Sequence, residues 1–197
     1  MTDASLADAS VESLFERSGA LLDGHFLLKS GRHAGRYLEK FLVLQHPAIG
    51  VELCRRFAEE LAPFAPTLVI GPTTGGVLLS FETARQLGGE VRAAFAEPAG
   101  EGRRALRRGW PIAPDERVVL VDDILTTGAS LAETVEAVRD AGAQPVAAAV
   151  IVDRSVTPYD PGFPVHSLGR IEIPSWEADA CPLCAAGAPL RKPGSSV

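Results

Sequence analysis

The chain has 197 residues, of which 46% are apolar, and it carries 19 basic and 25 acidic side chains. This length and composition suit one well-packed domain. The formal net charge of −6 argues against general binding to nucleic acid or to anionic membranes, so any bound anion must meet a local positive site.

The sequence also predicts a cytoplasmic protein. It contains no apolar run long enough to span a membrane, and residues 1–20 lack the pattern of a secretory leader. Its three cysteines, Cys54, Cys181 and Cys184, are too few for a disulfide framework and fit a reducing compartment.

The first part of the chain predicts two helices and a short buried strand. Residues 11–22 repeat apolar side chains at helical spacing after Ser10, a possible N-cap. A second helix is predicted from Pro47 to just before Pro63, with apolar side chains on one face. Residues 67–70 then form a short apolar run that runs into a glycine-rich turn, which predicts the strand.

The remainder of the chain alternates predicted strands and helices. Strands are predicted at residues 91–96, 117–123 and 145–153, and helices that end at glycines at residues 77–87 and 130–141. Apolar strands separated by helices indicate parallel strands covered on both faces. The fold class predicted is therefore α/β.

The stretch RVVLVDDILTTGAS, residues 117–130, predicts a ligand site. A buried strand would end in Asp122 and Asp123, and residues 124–128 would lead into a helix that begins near Ser130. Ligands of parallel sheets bind at the carboxyl ends of the strands, and the free N–H groups of a helix N-terminus suit a phosphate.

The acidic pair would repel that phosphate, so it must face hydrogen-bond donors such as a sugar diol or a metal-bound water. Phosphate on one side and a diol on the other describe a ribose 5-phosphate. The alternative is a solvated turn with Ser130 as an ordinary helix cap. The apolar strand before the acids and the Thr-Thr-Gly-x-Ser loop after them favour the ligand site, and the familiar nucleotide-binding glycine motifs are absent from the sequence.

The segment VVLVDDILTTGAS resembles the phosphoribosyl-pyrophosphate signature of type I phosphoribosyltransferases. In that superfamily the acidic pair contacts the ribose hydroxyls and the following loop grips the 5-phosphate. The segments HFLLKSGRHAGRYLEK and VDRS further resemble the orotate phosphoribosyltransferase family, with GPTTGGV and LRRGW in matching order. The resemblance runs from about Leu22 to Arg154. The loop residues that it assigns to the 5-phosphate are Thr126, Thr127, Gly128, Ala129 and Ser130.

The resemblance implies a single domain with the type I phosphoribosyltransferase fold. A central, mostly parallel sheet would carry helices on both faces in a core of about residues 46–164. A small hood would combine residues of about 1–45 with residues of about 165–190. The implied reaction joins orotate to phosphoribosyl pyrophosphate and gives orotidine 5-phosphate and pyrophosphate. Mg2+ would be held mainly by the substrate, with no protein metal ligand, and the protein would be a homodimer.

The resemblance also assigns residues 71–76 to the pyrophosphate. Thr73, Thr74 and Gly75 would bind it, with a cis peptide bond between the two threonines. Some relatives have a lysine where this chain has Gly75, so one positive contact would be missing. The alternative is a plain glycine-rich turn.

Three residues are assigned to the base. Arg154 matches the arginine that binds the orotate carboxylate, and its planar guanidinium suits that group. Lys29 matches a lysine near the base and the pyrophosphate, and Tyr37 matches an aromatic against the orotate ring. The alternatives are a surface arginine beside Asp153 and a tyrosine that belongs to the core.

Residues 97–105 are polar and glycine-rich, which predicts a mobile lid before the strand-like LRRGW at residues 106–110. In many relatives this loop carries a Lys-x-His pair and reaches the neighbouring subunit's active site. Here Arg103 and Arg104 are the remaining cations that we assign to catalysis. Since arginine does not exchange a proton near neutral pH, they would act electrostatically. The alternative is a solvated basic turn.

Cys181 and Cys184 have the spacing of metal ligands. A structural zinc site wants four ligands, and the sequence offers besides them Cys54 and scattered histidines. The sequence therefore favours a packed C-terminal segment over a zinc site.

Two other functions stay open at this point. One is a phosphoribosyltransferase that acts on another base, such as a purine. The other is a regulator without catalysis that senses phosphoribosyl pyrophosphate, for which the segment before Thr67 is short of room for a DNA-binding lobe.

Overall fold

The structure, a computed structural model, describes residues 4–28 and 30–193. The helices are α1 (Ala4–Ala7), α2 (Val11–Arg17), α3 (Lys40–Leu44), α4 (Pro47–Leu61), α5 (Gly75–Leu87), α6 (Ala129–Asp140) and α7 (Pro182–Ala185). The strands are β1 (Leu21–Leu27), β2 (His33–Leu38), β3 (Leu68–Pro72), β4 (Arg92–Gly100), β5 (Arg103–Ala105), β6 (Arg117–Leu125), β7 (Gln144–Asp153), β8 (Val165–Arg170) and β9 (Ser175–Trp176).

Two sheets organise the chain. The larger has six strands in the order β5-β4-β3-β6-β7-β8, and every neighbouring pair is parallel except β4 with β5. The smaller joins β1, β2 and β9, so it combines the N-terminal and C-terminal parts of the chain as expected of the hood. The predicted hood boundary near residue 165 is wrong, because β8 pairs with β7 and extends the larger sheet.

Helices cover both faces of the larger sheet, which confirms the α/β prediction. Alternate side chains of a strand point to opposite faces. Val119 and Val121 of β6 accordingly belong to one buried cluster with residues of α4 and α5, whereas Val118 and Leu120 belong to a second buried cluster with residues of α6. The carboxyl ends of β3, β6 and β7 are thereby held between two packed layers.

Helix α2, which corresponds to the helix predicted from residue 11, is shorter than the sequence predicts. Ser10 is the N-cap and accepts a hydrogen bond from Ser13 N, as predicted, but α2 ends at Arg17. Gly19 has a φ of +68°, which favours glycine and turns the chain, so Leu21 and Leu22 open β1. Helix α4 begins at Pro47 as predicted.

The predicted lid is a β-hairpin in this structure. Strand β4 continues to Gly100, and β5 returns antiparallel to it after a tight turn at Glu101 and Gly102, both of which have positive φ. Residues 106–110, predicted to be strand-like, are irregular. No helix in the described ranges combines the length and the apolar character needed to cross a membrane.

Candidate active site

The two adjacent carboxylates lie inside β6 and not after its end. Pairing with β7 continues as far as Leu125 opposite Asp153, so the strand extends past the acids and the predicted loop at residues 124–128 begins too early. Asp122 is 5% exposed and Asp123 is 3% exposed. As neighbours on one strand, they face opposite sides of the sheet.

Asp123 faces the side of the sheet that α5 covers. Its carboxylate lies 2.9 Å from the Nζ of Lys40, the first residue of α3, and accepts a hydrogen bond from Ile124 N at 2.8 Å. A Cβ on Gly75 would lie 2.5 Å from Asp123 Oδ2. Lys40 is a site residue that sequence reasoning missed, because its partner is 83 residues further along the chain.

Asp122 faces α6. It accepts a hydrogen bond from Asp123 N at 2.8 Å, and a side-chain hydrogen bond links it to Ser130 in the first turn of α6. Burial, followed by the charge of Asp123, raises the pKa of Asp122 to about 7. Asp122 is therefore able to hold a proton near neutral pH, whereas an ordinary aspartate is not.

The predicted phosphate loop leads into α6. Gly128 is the N-cap with a φ of +78°, and it supplies no side-chain cap, so the N–H groups of the first turn of α6, apart from that of Ala129, are available to an anion. Thr127 Oγ1 accepts from Ala129 N at 3.4 Å. Thr126, Thr127 and Ala129 are exposed, whereas Ser130 is half-buried.

Tyr159 packs against this loop and was also missed from the sequence. A Cβ on Gly128 would lie 2.3 Å from the Tyr159 ring. Burial raises the pKa of Tyr159. Glycine is therefore required at position 128 by its φ and by the ring that covers it.

The predicted pyrophosphate loop lies at the end of β3, the strand next to β6. The peptide bond between Thr73 and Thr74 is cis, as predicted. A Cβ on Gly71 would lie 2.4 Å from Gly76 O, so the loop folds back on itself where only glycine fits. Gly75 begins α5 against Asp123, so the Cβ of any other residue at this position would clash with that carboxylate where it now lies.

Arg154 follows β7, and its N–H donates to Leu125 O at 2.8 Å, which fixes it beside the end of β6. Its side chain is half-buried, and burial lowers its pKa while the nearby Tyr37 raises it. The alternative was a surface arginine beside Asp153, and Arg154 is half-buried rather than exposed. Asp153 lies 3.7 Å from Arg170, and none of the ion pairs within the described ranges involves Arg154.

Tyr37 lies on β2 of the hood, half-exposed, with its ring centroid 5.7 Å from that of Phe26. Tyr37 belongs to neither buried cluster. Burial raises the pKa of Tyr37, whereas the nearby charges of Lys40 and Arg154 act to lower it. The structure thus brings the hood tyrosine towards the end of β7. Lys29 lies outside the described residues.

The two hairpin arginines that the sequence analysis assigns to catalysis occupy different environments. The Arg104 side chain is 14% exposed, lies 3.2 Å from Glu133 of α6, and donates to Thr73 O at 3.4 Å. The Arg103 side chain is 72% exposed and lies 3.4 Å from the exposed Asp140. Only Arg104 therefore reaches the pyrophosphate loop of its own chain.

Comparisons with known proteins agree with this geometry. The family profile described as "Phosphoribosyl transferase domain" matches residues 43–183. Orotate phosphoribosyltransferase of Pelotomaculum thermopropionicum is 45% identical over 185 residues, which cover 94% of this chain and 96% of that protein. Its namesake from Caldicellulosiruptor bescii is 43% identical over 188 residues, which cover 95% and 97%.

A solved structure gives the same result. The orotate phosphoribosyltransferase of Mycobacterium tuberculosis in complex with Fe(III) dicitrate superposes with a TM-score of 0.69 at 26% identity, covering 86% of this chain and 96% of that one. The fold and the strand-end site define a type I phosphoribosyltransferase. The chain belongs to the phosphoribosyltransferase family and, within it, to the orotate phosphoribosyltransferases.

Proposed function

We propose that this protein transfers the 5-phosphoribosyl group of phosphoribosyl pyrophosphate to orotate, giving orotidine 5-phosphate and pyrophosphate. The observation that carries the proposal is the buried acidic pair of β6, which lies between the open start of α6 and the glycine loop that ends in α5. These two loops suit the two phosphate groups of one substrate, with its ribose over the carboxylates.

The reaction forms a bond from an orotate nitrogen to the anomeric carbon as the bond to the pyrophosphate oxygen breaks, and the nitrogen releases its proton to water or to the departing pyrophosphate. The departing pyrophosphate takes the electron pair, and the ribose ring becomes positive in the transition state. Asp122 and Asp123 orient the ribose and stabilise its positive charge, while the loops hold the partners in line. No covalent intermediate with the protein is needed.

Residues at the end of β7 and in the hood recognise orotate. Arg154 offers a half-buried guanidinium without an ion-pair partner among the described residues, which suits the planar carboxylate of orotate. Tyr37 supplies an aromatic face, and the resemblance adds Lys29. A neutral base that lacks the carboxylate would leave Arg154 unpaired, which favours orotate over a purine.

We propose that Arg104 neutralises the leaving pyrophosphate in its own subunit, since it already contacts Thr73. Arg103 is the residue of the loop 97–105 that reaches the neighbouring active site of a homodimer. Mixed dimers of Arg104→Ala with Asp123→Asn subunits would then show no gain in activity over the two parent dimers, because each active site lacks one group. Recovery of activity on mixing would show that Arg104 acts across the dimer.

An exposed apolar face beside the site supports the proposal that the protein is a homodimer. Side chains on α3, α4 and α5 remain open to solvent there, and these helices contact one another. They are Phe41, Val51, Leu78 and Phe81, the last of them 67% exposed. We expect Phe81→Asp to give a monomer in sedimentation analysis. The control Val156→Asp, at a position 98% exposed outside this face, should stay dimeric.

Mg2+ is the cofactor that we propose. It prefers oxygen ligands, which a pyrophosphate group and a ribose diol supply, so we propose that the substrate holds most of its coordination positions. When bound, Mg2+ neutralises charge on the pyrophosphate.

The experiment that tests the function is a spectrophotometric assay of orotate consumption. Consumption should require phosphoribosyl pyrophosphate and Mg2+, and chelation of the metal should stop it. Orotate that is not consumed, with transfer to a purine instead, would contradict the proposal. No transfer to any base would favour the sensing regulator.

We also propose that the protein works in the cytoplasm. Its three cysteines are free in the structure, which fits a reducing compartment. Cell fractionation with an antibody against the protein tests this.

A further inference from the structure

Four potential metal ligands meet at the edge of the hood. His25 of β1, His33 of β2, Cys181 and Cys184 each bring one ligand atom to a point where all four atoms lie within 4.8 Å of one another. The sequence leaves the histidines scattered, since His25 precedes Cys181 by 156 residues. Pairing of β1 with β2 and docking of the C-terminal segment bring them together.

The spacing fits a tetrahedral zinc site. Zinc bonds of about 2.3 Å to sulfur and about 2.0 Å to nitrogen place neighbouring ligand atoms about 3.3–3.8 Å apart. Cys181 Sγ lies 3.5 Å and Cys184 Sγ 3.7 Å from His25 Nε2. His33 Nδ1 lies 3.2 Å from Cys184 Sγ and 3.0 Å from His25 Nε2. These four separations lie within a few tenths of an ångström of the tetrahedral values, and since no two of the four atoms are more than 4.8 Å apart, shifts of up to about 1 Å would complete the tetrahedron.

The ring of His25 is oriented for metal binding by its other nitrogen. Nδ1 lies 2.9 Å from Ala188 O. A carbonyl oxygen only accepts, so Nδ1 carries the proton and donates it, which leaves Nε2 of the neutral ring with a free lone pair towards the cysteines. A backbone carbonyl on the far nitrogen is the usual support of a zinc-bound histidine.

The surrounding backbone holds the four residues in place without a metal. Leu27 N donates to Arg191 O and Arg191 N donates to His25 O, each at 2.8 Å, so the C-terminal segment runs beside β1. His25, His33 and Cys181 are buried, at 3%, 6% and 3% exposure. A preformed set of two thiols and two imidazoles, three of the four residues buried and Cys184 exposed, lacks a packing reason for its composition.

We propose that His25, His33, Cys181 and Cys184 bind one Zn2+ ion as a structural site. A donor set of two sulfurs and two nitrogens in tetrahedral arrangement selects zinc among the common divalent metals. All four positions are taken by the protein, which defines a structural and not a catalytic site. The ion links β1 and β2 to the C-terminal segment. It thereby stabilises the hood, in which β2 pairs with β1 on one side and with β9 on the other.

The test is the zinc content of protein made without a metal-binding tag and kept reduced, measured by plasma mass spectrometry beside a thiol titration. We expect about one zinc ion per chain. Cys181→Ser and Cys184→Ser should lose it. Cys54→Ala removes the thiol outside the cluster, and His46→Gln removes an exposed histidine, so both controls should keep it.

Cobalt substitution gives a second readout that does not depend on activity. Co2+ bound to reduced protein should show the visible absorption of a tetrahedral ion together with a thiolate charge-transfer band, and Cys184→Ser should reduce that band. A chelator should lower the unfolding temperature of the wild type and not that of Cys184→Ser, because bound metal stabilises the folded state.

Three results would overturn the proposal. One is fully reduced protein that contains no zinc and gives no tetrahedral cobalt spectrum. Another is a disulfide between Cys181 and Cys184 in protein purified under reducing conditions. The third is zinc that stays bound in both cysteine variants. Because Cys184 is exposed, Cys184→Ser is expected to fold and leaves the comparison interpretable.

Discussion

On the face of the sheet that α5 covers, Asp123 lies 2.9 Å from Lys40 Nζ. On the face that α6 covers, Asp122 has no ion-pair partner among the described residues, and burial raises its pKa to about 7. Two neighbouring carboxylates of one strand thus have different surroundings because each meets a different helix layer. Asp123 has a cation beside it, and Asp122 is able to titrate near neutral pH.

Asp123→Asn should produce the largest loss of activity. The substitution removes the negative charge beside the reacting ribose and leaves Lys40 without its partner. We expect turnover to fall by about 10²–10³-fold, the usual cost of removing one electrostatic group from a reaction site. Steady-state kinetics with orotate measure this. Lys40 is 38% exposed, so water takes over part of its solvation and the fold should survive.

Asp115→Asn is the matched control, because Asp115 is exposed on the surface. It should keep normal turnover. An Asp123→Asn protein with near wild-type turnover would show that the charge on this face plays no part in the reaction.

Asp122→Asn should alter the pH dependence of stability. The pKa of Asp122 is raised from an ordinary 3.8 to about 7, so between these values the folded chain holds a proton that the unfolded chain has released. Stability from this group is therefore full below pH 3.8 and is lost as the pH rises towards 7. Asparagine does not titrate, so the variant should gain on the wild type by up to about 1.4 kcal/mol per pH unit across that window.

Urea unfolding of both proteins at several pH values measures this difference in free energy. Above the folded pKa the difference should stay constant, because the carboxyl group is then ionised in both states. A difference that does not change with pH would mean that folding leaves the pKa of Asp122 at its ordinary value.

Gly75→Ala tests how closely α5 approaches Asp123. The added Cβ would lie 2.5 Å from Asp123 Oδ2, so the carboxylate or the helix must move. We expect a loss of stability of about 1–3 kcal/mol, typical of overpacking, together with lower turnover.

Gly50→Ala in α4 is the matched control. A Cβ there meets nothing within 4 Å, so alanine should stabilise that helix by about 0.5–1 kcal/mol. Equal effects of the two substitutions in thermal unfolding would argue against a close contact at Gly75.

Sequence reasoning located the parts of the site that are contiguous in the chain. Thr126 to Ser130 form the start of α6, and the cis bond at Thr73 follows β3, because each motif carries its own backbone geometry. Lys40 and Tyr159 were missed because their partners are distant in sequence. The same reason hid the histidines that accompany Cys181.

Element ends were less predictable than element types. The sequence predicted that the acidic pair follows the end of β6, but pairing with β7 extends that strand to Leu125. Nothing within residues 117–130 indicates how long the neighbouring strand β7 is. The loop at residues 97–105 has the composition of a lid, yet antiparallel pairing makes it a hairpin. Long-range hydrogen bonding decided both cases.

The hairpin arginines give the smallest expected difference and test which of them serves the α6 face of the site. Arg104 contacts Thr73 and Glu133 with a side chain that is 14% exposed, whereas Arg103 contacts the exposed Asp140 alone. Removing one charge-assisted contact costs about 1.5–3 kcal/mol, so Arg104→Ala should lower turnover by about tenfold or more and weaken inhibition by pyrophosphate.

Arg103→Ala should have a smaller effect in the same assay, and Arg107→Ala, at an exposed position, should have none. If Arg104→Ala left both turnover and pyrophosphate inhibition unchanged, the hairpin would be a solvated basic turn, and neutralisation of the leaving group would rest on Mg2+ and the loop N–H groups. If Arg103→Ala had the larger effect, the contribution of Arg103 to the neighbouring active site would outweigh that of Arg104 in its own subunit.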